Sequence, residues 1–211
     1  MKNYIFIIIV LAFAAFIYSE YKKSLNETNK LDYQPKVSDK KIEALNDGEF
    51  MLDSGNSEIK WKGSNPVKDH VGVIKSSHGE LMVIDGRVSG SVIIDMDTIS
   101  GDAGEGLDGH LKSEDFFDVE QFPESSVTFS EKEDRTFDTR LTIKGIENEI
   151  ILKPEIVIDG ENIHMKSDIN FDRTKWDVMY GSGSLVDTLK DAAISDEIEI
   201  SINLSFIKKT V

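Results

Sequence analysis

Ten residues near the end of the chain, Glu197-Ile198-Glu199-Ile200-Ser201-Ile202-Asn203-Leu204-Ser205-Phe206, alternate strictly between polar and apolar side chains. Successive side chains of a β-strand point to opposite faces, so this order places the apolar groups on one face and the polar groups on the other. The stretch therefore predicts a half-buried strand, with one face against a core and the other face in water.

The same period of two recurs upstream, in residues 58–62, 88–96, 137–143 and 163–171. Asp85-Gly86 and Asp159-Gly160 separate such stretches, and Asp-Gly pairs are typical of hairpin turns because Gly accepts a positive φ. Short helical pieces are expected only at Leu107–Phe117 and Leu185–Ala193. The sequence therefore predicts an antiparallel all-β fold of about eight to ten strands.

Alternation alone does not distinguish two packed sheets from a closed barrel, because both give strands with one buried face. The two architectures differ in what they can hold. A closed barrel of about eight strands has room inside for one small ligand.

The chain begins with a short basic start, Met1-Lys2-Asn3, followed by an uninterrupted apolar run over residues 4–17. As a helix this run would span roughly 21 Å, which is short of the ~30 Å hydrocarbon core of a bilayer. We interpret residues 1–19 as a signal peptide or N-terminal membrane anchor, with a tether through residues 4–18 if it is retained. Residues 20–46 have the composition of a polar linker, and residues 47–211 form the expected domain.

The charge balance is strongly acidic, with 24 Lys and Arg against 39 Asp and Glu and a net charge of −15. Nucleic-acid binding requires basic surface, so this balance argues against a nucleic-acid partner. The chain contains no cysteine, which excludes disulfides, cysteine-ligated metals and thiol catalysis.

Several segments in order along the chain resemble the YceI-like family of polyisoprenoid-binding proteins. They are Ser57–Gly63 with His70-Val71-Gly72, Ile94–Ile99, His110–Asp118 with Phe122-Pro123, Leu141–Gly145, Phe171–Trp176, Tyr180–Ser184, and Leu189–Glu197. Together they cover about residues 49–207.

This resemblance implies an extended antiparallel lipocalin-like β-barrel, with short helical segments near its mouth. It also implies that the lumen holds an isoprenoid lipid, as a quinone or polyprenyl chain, for transport or storage. The bound lipid would be the ligand of a non-enzymatic protein, with no other cofactor. Members are typically exported to the periplasm, which agrees with the apolar start of this chain.

Two groups of candidate binding residues follow from the alternation and the family motifs. The candidates for the lumen are Ile59, Trp61, Val92, Ile94, Leu141, Ile143, Met165, Ile169, Ile200, Ile202 and Leu204. The candidates for the rim and the lipid headgroup are His70, His110, Phe116, Phe117 and Arg173. For each histidine a structural hydrogen bond is the alternative to headgroup contact, and for Arg173 the alternative is an ion pair with a carboxylate.

Two other functions stay open: an exported hydrolase or lyase on the same barrel, and a ligand-free stress or structural module. The motifs favour neither. No histidine pair has HExxH spacing, and the acidic segment Asp95–Glu120 lacks the spacing of an EF-hand loop. Gly181–Ser184 matches neither a nucleophile elbow nor a P-loop. We therefore expect no catalytic residues and no metal site.

Overall fold

The computed structural model describes residues 46–183 and 193–209, and ten β-strands make up most of them. The strands are β1 (Gly48–Leu52), β2 (Glu58–Ser64), β3 (Asp69–Ile84), β4 (Arg87–Gly101), β5 (Glu124–Glu131), β6 (Phe137–Ile143), β7 (Ile146–Glu149), β8 (Glu155–Asp159), β9 (Asn162–Asp172) and β10 (Glu197–Lys208). All of the strand pairs are antiparallel. The predicted all-β fold is confirmed.

The sheet has the order β7-β6-β5-β4-β3-β1-β10-β9-β8, and β2 also lies between β3 and β10. β1 and β2 share one position because the 3-10 helix Ser54–Asn56 interrupts what would otherwise be a single strand. The ten strands lie within the predicted range of about eight to ten, and they occupy nine positions in the sheet. The sheet curves into a barrel, the architecture that the family resemblance implied.

Side chains rather than a strand ladder close the barrel along its seam, which is the gap between the first and last strands of the sheet order. β7 and β8 are the edge strands, and within the described ranges no ladder joins them. The 3-10 helix Arg173–Trp176 covers this gap: the Trp176 indole donates to the Leu141 carbonyl on β6 at 2.9 Å, and Asn148 on β7 donates to the Lys175 carbonyl at 2.9 Å.

One end of the barrel is a packed floor. The side chains of Leu81, Val83, Val88, Ile163 and Phe206 are each no more than 1% exposed. Burial of an aliphatic or aromatic side chain contributes about 1.5–3 kcal/mol, so these residues form a stable apolar base. The opposite end, where β2, β4 and β9 finish and β3 and β10 begin, is the mouth.

The alternation of β10 holds with one exception. Ser205 was expected on the wet face, but it is buried. The turn before β2 covers it: the Asp53 amide donates to the Ser205 carbonyl at 2.8 Å, and the Ser205 amide donates to the Ser57 hydroxyl at 3.0 Å. A neighbouring segment has thus excluded water from a position that the strand pattern assigns to solvent.

The helix α1 (Glu105–Lys112) lies beside the mouth. The helical piece predicted at Leu107–Phe117 therefore begins two residues earlier and ends sooner, since the Ser113 amide and hydroxyl both bond the His110 carbonyl and turns follow. The piece predicted at Leu185–Ala193 lies almost wholly outside the described residues.

The predicted N-terminal segment, residues 1–19, and nearly all of the predicted linker, residues 20–46, also lie outside the described residues. Across residues 46–183 and 193–209, no helix has the length and apolar character needed to span a bilayer.

Candidate ligand-binding lumen

A cavity of about 330 Å³ occupies the barrel between the floor and the mouth. This volume falls within the range of about 300–1,000 Å³ that is usual for ligand pockets. All eleven lumen candidates line it: Ile59, Trp61, Val92, Ile94, Leu141, Ile143, Met165, Ile169, Ile200, Ile202 and Leu204. The alternation thus located the cavity wall, while contact of these side chains with a ligand stays a prediction.

The strand ladder explains how these side chains come together. Opposite residues of an antiparallel pair project to the same face. Ile200 faces Ile169 across β10 and β9, and it faces Trp61 across β10 and β2. Leu204 faces Met165 one row above the floor. These rows of the ladder therefore present apolar groups to the lumen.

Trp61 lies in the cavity wall because two glycines leave room for its ring. Gly72 and Gly101 are register partners on β3 and β4. A Cβ atom on Gly72 would lie 2.5 Å from the indole and would collide with the Ser100 carbonyl, and one on Gly101 would lie 2.7 Å from Leu107. A side chain at position 72 would displace the indole, and one at position 101 would crowd both Leu107 and the indole.

Two histidine–carboxylate pairs stand at the mouth. Nδ1 of His70 lies 2.8 Å from Oδ1 of Asp102, and Nε2 of His110 lies 3.1 Å from Oδ2 of Asp115. The hydrogen bond with His70 lowers the pKa of Asp102 below its ordinary value. Both histidines line the cavity, so each has a structural bond and also lies where a headgroup would pass.

An aromatic cluster forms one side of the mouth. The His110 ring meets Phe116 edge-on at 4.9 Å between centroids and Tyr180 at 4.6 Å, and Phe116 and Tyr180 are 5.1 Å apart. Phe117 also lines the cavity, nearer to the seam. Tyr180 was not predicted as a site residue. It belongs to the family segment Tyr180–Ser184, and nothing in its spacing indicates that it packs on His110.

Arg173 lines the cavity, but its guanidinium nitrogens donate hydrogen bonds to backbone carbonyls. The guanidinium donates to the carbonyls of Val178 at 2.6 Å, Ser195 at 3.0 Å and Ile194 at 3.3 Å, and it lies 3.7 Å from Asp196. Burial lowers the pKa of Arg173. Arg173 therefore links backbone segments on one side of the mouth. The ion pair with a carboxylate, which was the alternative to headgroup contact, is also present, with Asp196 as the partner.

Two serines in the cavity wall were also not predicted as site residues from the sequence. Ser125 on β5 and Ser167 on β9 are buried and line the cavity. Ser167 could have been noticed, because it falls at an apolar position of the alternating stretch between Met165 and Ile169.

The acidic segment of residues 95–120 does not converge on one point. Its carboxylates bond separate partners, such as the Asp108 side chain that accepts from the Gly101 amide at 2.7 Å. In the part of the chain that the structure describes, no three His, Asp or Glu side chains are grouped as metal ligands are.

An antiparallel barrel with an apolar lumen, a packed floor and a polar mouth belongs to the class of small β-barrels whose interior has room for one small ligand. The chain belongs to the YceI-like family: the YceI-like domain matches residues 50–206. No curated protein matches the chain.

Solved structures show the same fold. BcnA of Burkholderia cenocepacia is 17% identical, with a TM-score of 0.60 over 73% of this chain and 98% of that one. A polyisoprenoid-binding domain from Saccharophagus degradans, implicated in plant cell wall breakdown, is 11% identical, with a TM-score of 0.58 over 76% and 98%. The YceI protein of Campylobacter jejuni is 21% identical, with a TM-score of 0.50 over 70% and 85%. At these identities the likeness concerns the fold.

Proposed function

We propose that this protein binds an isoprenoid lipid, a quinone or polyprenyl chain, inside its barrel and serves in the transport or storage of that lipid. The observation that carries the proposal is the lumen itself, a cavity of about 330 Å³ lined by apolar side chains from seven of the ten strands, β2 to β6, β9 and β10. Family membership supports it, since a similar solved barrel is described as a polyisoprenoid-binding domain.

The physical basis of binding would be the removal of hydrocarbon from water. Each buried methylene is worth about 0.8 kcal/mol on transfer, so a branched chain gains affinity along the whole depth of the lumen. The cationic side chains Lys68 and Arg173 line the cavity toward the mouth, and so do the imidazoles of His70 and His110. The body of the lumen therefore favours a neutral chain.

This arrangement favours binding over the two other functions. A ligand-free structural module would fill its barrel with side chains, as the floor around Phe206 is filled, whereas the upper barrel holds a cavity. The His70–Asp102 and His110–Asp115 pairs are partly exposed at the rim. Each histidine is hydrogen-bonded to its carboxylate, so a structural role explains both pairs without catalysis.

The test is to identify what the protein carries. Full-length protein purified without denaturant is extracted with organic solvent, and the extract is analysed by mass spectrometry. We expect an isoprenoid lipid at a molar ratio near one. A matched control is the variant Ile200→Glu, which places a carboxylate in the lumen and should lose the lipid while the floor stays intact. Equal lipid content in both proteins would exclude the lumen as the binding site.

We also propose that the protein acts outside the cytoplasm, in the periplasm, either soluble or held by its N-terminal segment. The support is the apolar run of residues 4–17 behind a basic start. Cell fractionation of the full chain and of a variant without residues 1–19 tests this proposal. Only the full chain should leave the cytoplasm, and the mass of the exported chain distinguishes a cleaved signal from a retained anchor. Retention of both proteins in the cytoplasm would refute the export proposal.

A further inference from the structure

Two serine hydroxyls lie inside the lumen without a hydrogen-bond partner. Ser125 is 4% exposed and Ser167 is 8% exposed, and both line the cavity. The Oγ atom of each is buried and makes no hydrogen bond within the described structure. A buried hydroxyl that is left unpaired is destabilising, so two of them in one apolar cavity require an explanation.

Both hydroxyls lie about halfway between the floor and the mouth. Ser167 is the register partner of Ile202, with Leu204 on the floor side of that row and Ile200 on the mouth side. Ser125 is the register partner of Ile94 on β4, which lies between Val92 toward the floor and Met96 toward the mouth. The polar groups are therefore well inside the barrel and separate from the rim.

The two serines face the lumen from different walls. β6, β7 and β8 separate β5 from β9 in one direction around the barrel, and β4, β3, the β1/β2 position and β10 separate them in the other. A chain that runs along the lumen must pass between them. A third unpartnered donor, Nε1 of Trp61, belongs to the wall one row closer to the mouth than Ile202.

A purely hydrocarbon chain would leave all three groups unpaired. An ionised group would be poorly held at this depth, because the charged side chains of the cavity are near the mouth and burial of an unpaired charge is very costly. A neutral oxygen satisfies both conditions, since a serine hydroxyl can donate to a carbonyl or ether oxygen and can also accept from an alcohol.

Building on the proposed function, we propose that the natural ligand is a neutral, oxygen-bearing lipid whose polar group lies inside the lumen between Ser125 and Ser167. Alcohols, esters and quinone carbonyls belong to this class. Phosphorylated and carboxylate-bearing lipids do not, because their charge would have to enter the apolar part of the barrel.

The experiment compares three probes that share one branched C20 skeleton: phytol, which carries a neutral hydroxyl, phytane, which carries no oxygen, and phytanic acid, which carries a carboxylate. Each displaces the fluorescent ligand N-phenyl-1-naphthylamine from delipidated full-length protein at pH 7. We expect phytol to bind about tenfold more tightly than phytane, as one net hydrogen bond would give. Phytanic acid should bind more weakly than phytol.

The double variant Ser125→Ala/Ser167→Ala should reduce the preference for phytol over phytane to less than about twofold while retaining phytane binding, which also shows that it is folded. Ser201→Ala, at an exposed position beside Ile202, is the matched control and should keep the full preference. Phytane binding without a preference for phytol in the natural protein, or an unchanged preference in the double variant, would overturn this inference and leave the proposed function standing. Failure of all three probes to bind would overturn both.

Discussion

The indole nitrogen of Trp176 donates a 2.9 Å hydrogen bond to the backbone carbonyl of Leu141, and this bond joins the segment after β9 to β6 across the seam of the barrel. The two residues belong to one small apolar cluster with Ile143. Trp176 is 1% exposed, so the bond is shielded from water. This hydrogen bond therefore holds the two edges of the sheet together where the edge strands β7 and β8 do not pair.

Trp176→Phe should destabilise the protein by about 1–3 kcal/mol, because it removes the donor and leaves a buried carbonyl short of a partner. Urea denaturation of the two proteins measures the difference. Trp61→Phe is the matched control, since it removes the same atoms from an indole whose nitrogen has no partner. A loss of stability in Trp61→Phe as large as that in Trp176→Phe would show that the hydrogen bond does not hold the seam.

Arg173→Met should cost about 3 kcal/mol of stability, because it leaves the carbonyls of Val178, Ile194 and Ser195 without their donor. Thermal or urea denaturation gives the value. The control is Arg140→Met, whose ion pair with Glu147 is exposed and screened by solvent, so its loss should cost much less than the loss of Arg173. Equal effects of the two substitutions would mean that the buried guanidinium has no special role at the mouth.

Asp172 links stability to pH. The hydroxyl and amide of Thr174 donate to its carboxylate at 2.6 Å and 2.9 Å, and the hydroxyl bond is the main reason that the pKa of Asp172 lies below its ordinary value of 3.8. A lowered pKa in the folded state stabilises the protein at pH values above 3.8 and ceases to do so as pH falls through the folded value.

Asp172→Ala should therefore cost about 1 kcal/mol at pH 7, as loss of a helix cap does, and the cost should shrink below about pH 4. Urea denaturation at a series of pH values follows this difference. Glu120→Ala, at an exposed position, should change stability by less than about 0.5 kcal/mol at neutral pH. A cost for Asp172→Ala that stays constant down to pH 2 would be inconsistent with the ionised cap.

Gly72→Ala should strongly destabilise the barrel, by about 2 kcal/mol or more, because the new methyl would meet the Ser100 carbonyl and the Trp61 ring. The fluorescence of Trp61 should shift as its ring is displaced. Gly109→Ala is the opposite case, since a methyl there meets nothing within 4 Å inside α1 and should stabilise the helix by about 0.5–1 kcal/mol. Similar effects of both substitutions would contradict the close packing of Trp61.

Most residues of the lumen wall could be predicted from the sequence, but the contacts that close the barrel could not. Ile200, Ile202 and Leu204 could be assigned to the inner face because the period of two is a property of the local backbone. The bond between Trp176 and Leu141 joins residues that are 35 positions apart, and no local pattern indicates it.

The mouth was predictable only in part, and for a similar reason. The family motifs led to His70 and His110, but the contact of His70 with Asp102 depends on how β3 lies beside the end of β4, and that of His110 with Asp115 on the turn that follows α1. Arg173 lies 3.7 Å from the carboxylate of Asp196, as one of its two expected roles required, but three backbone carbonyls accept its hydrogen bonds. Backbone acceptors leave no signature in side-chain patterns, so the sequence alone does not reveal this role.

Three residues of β10 test the central claim that the barrel has an open apolar lumen above a packed floor. Ile202 lines the cavity, Phe206 is fully buried in the floor, and Glu199 is on the outer face, where it pairs with Lys62. Each is replaced by Ala. The free energy of unfolding without lipid and the affinity for an isoprenoid probe are then measured for each protein.

We expect Ile202→Ala to lower stability only slightly while weakening probe binding by about 1–2 kcal/mol, the worth of about two methylenes. Phe206→Ala should cost about 3–5 kcal/mol of stability, as cavity-forming substitutions of Phe do, and Glu199→Ala should have little effect on either quantity. A large loss of stability in Ile202→Ala, comparable to that of Phe206→Ala and without any change in probe affinity, would show that the lumen is a closed core and would contradict the account.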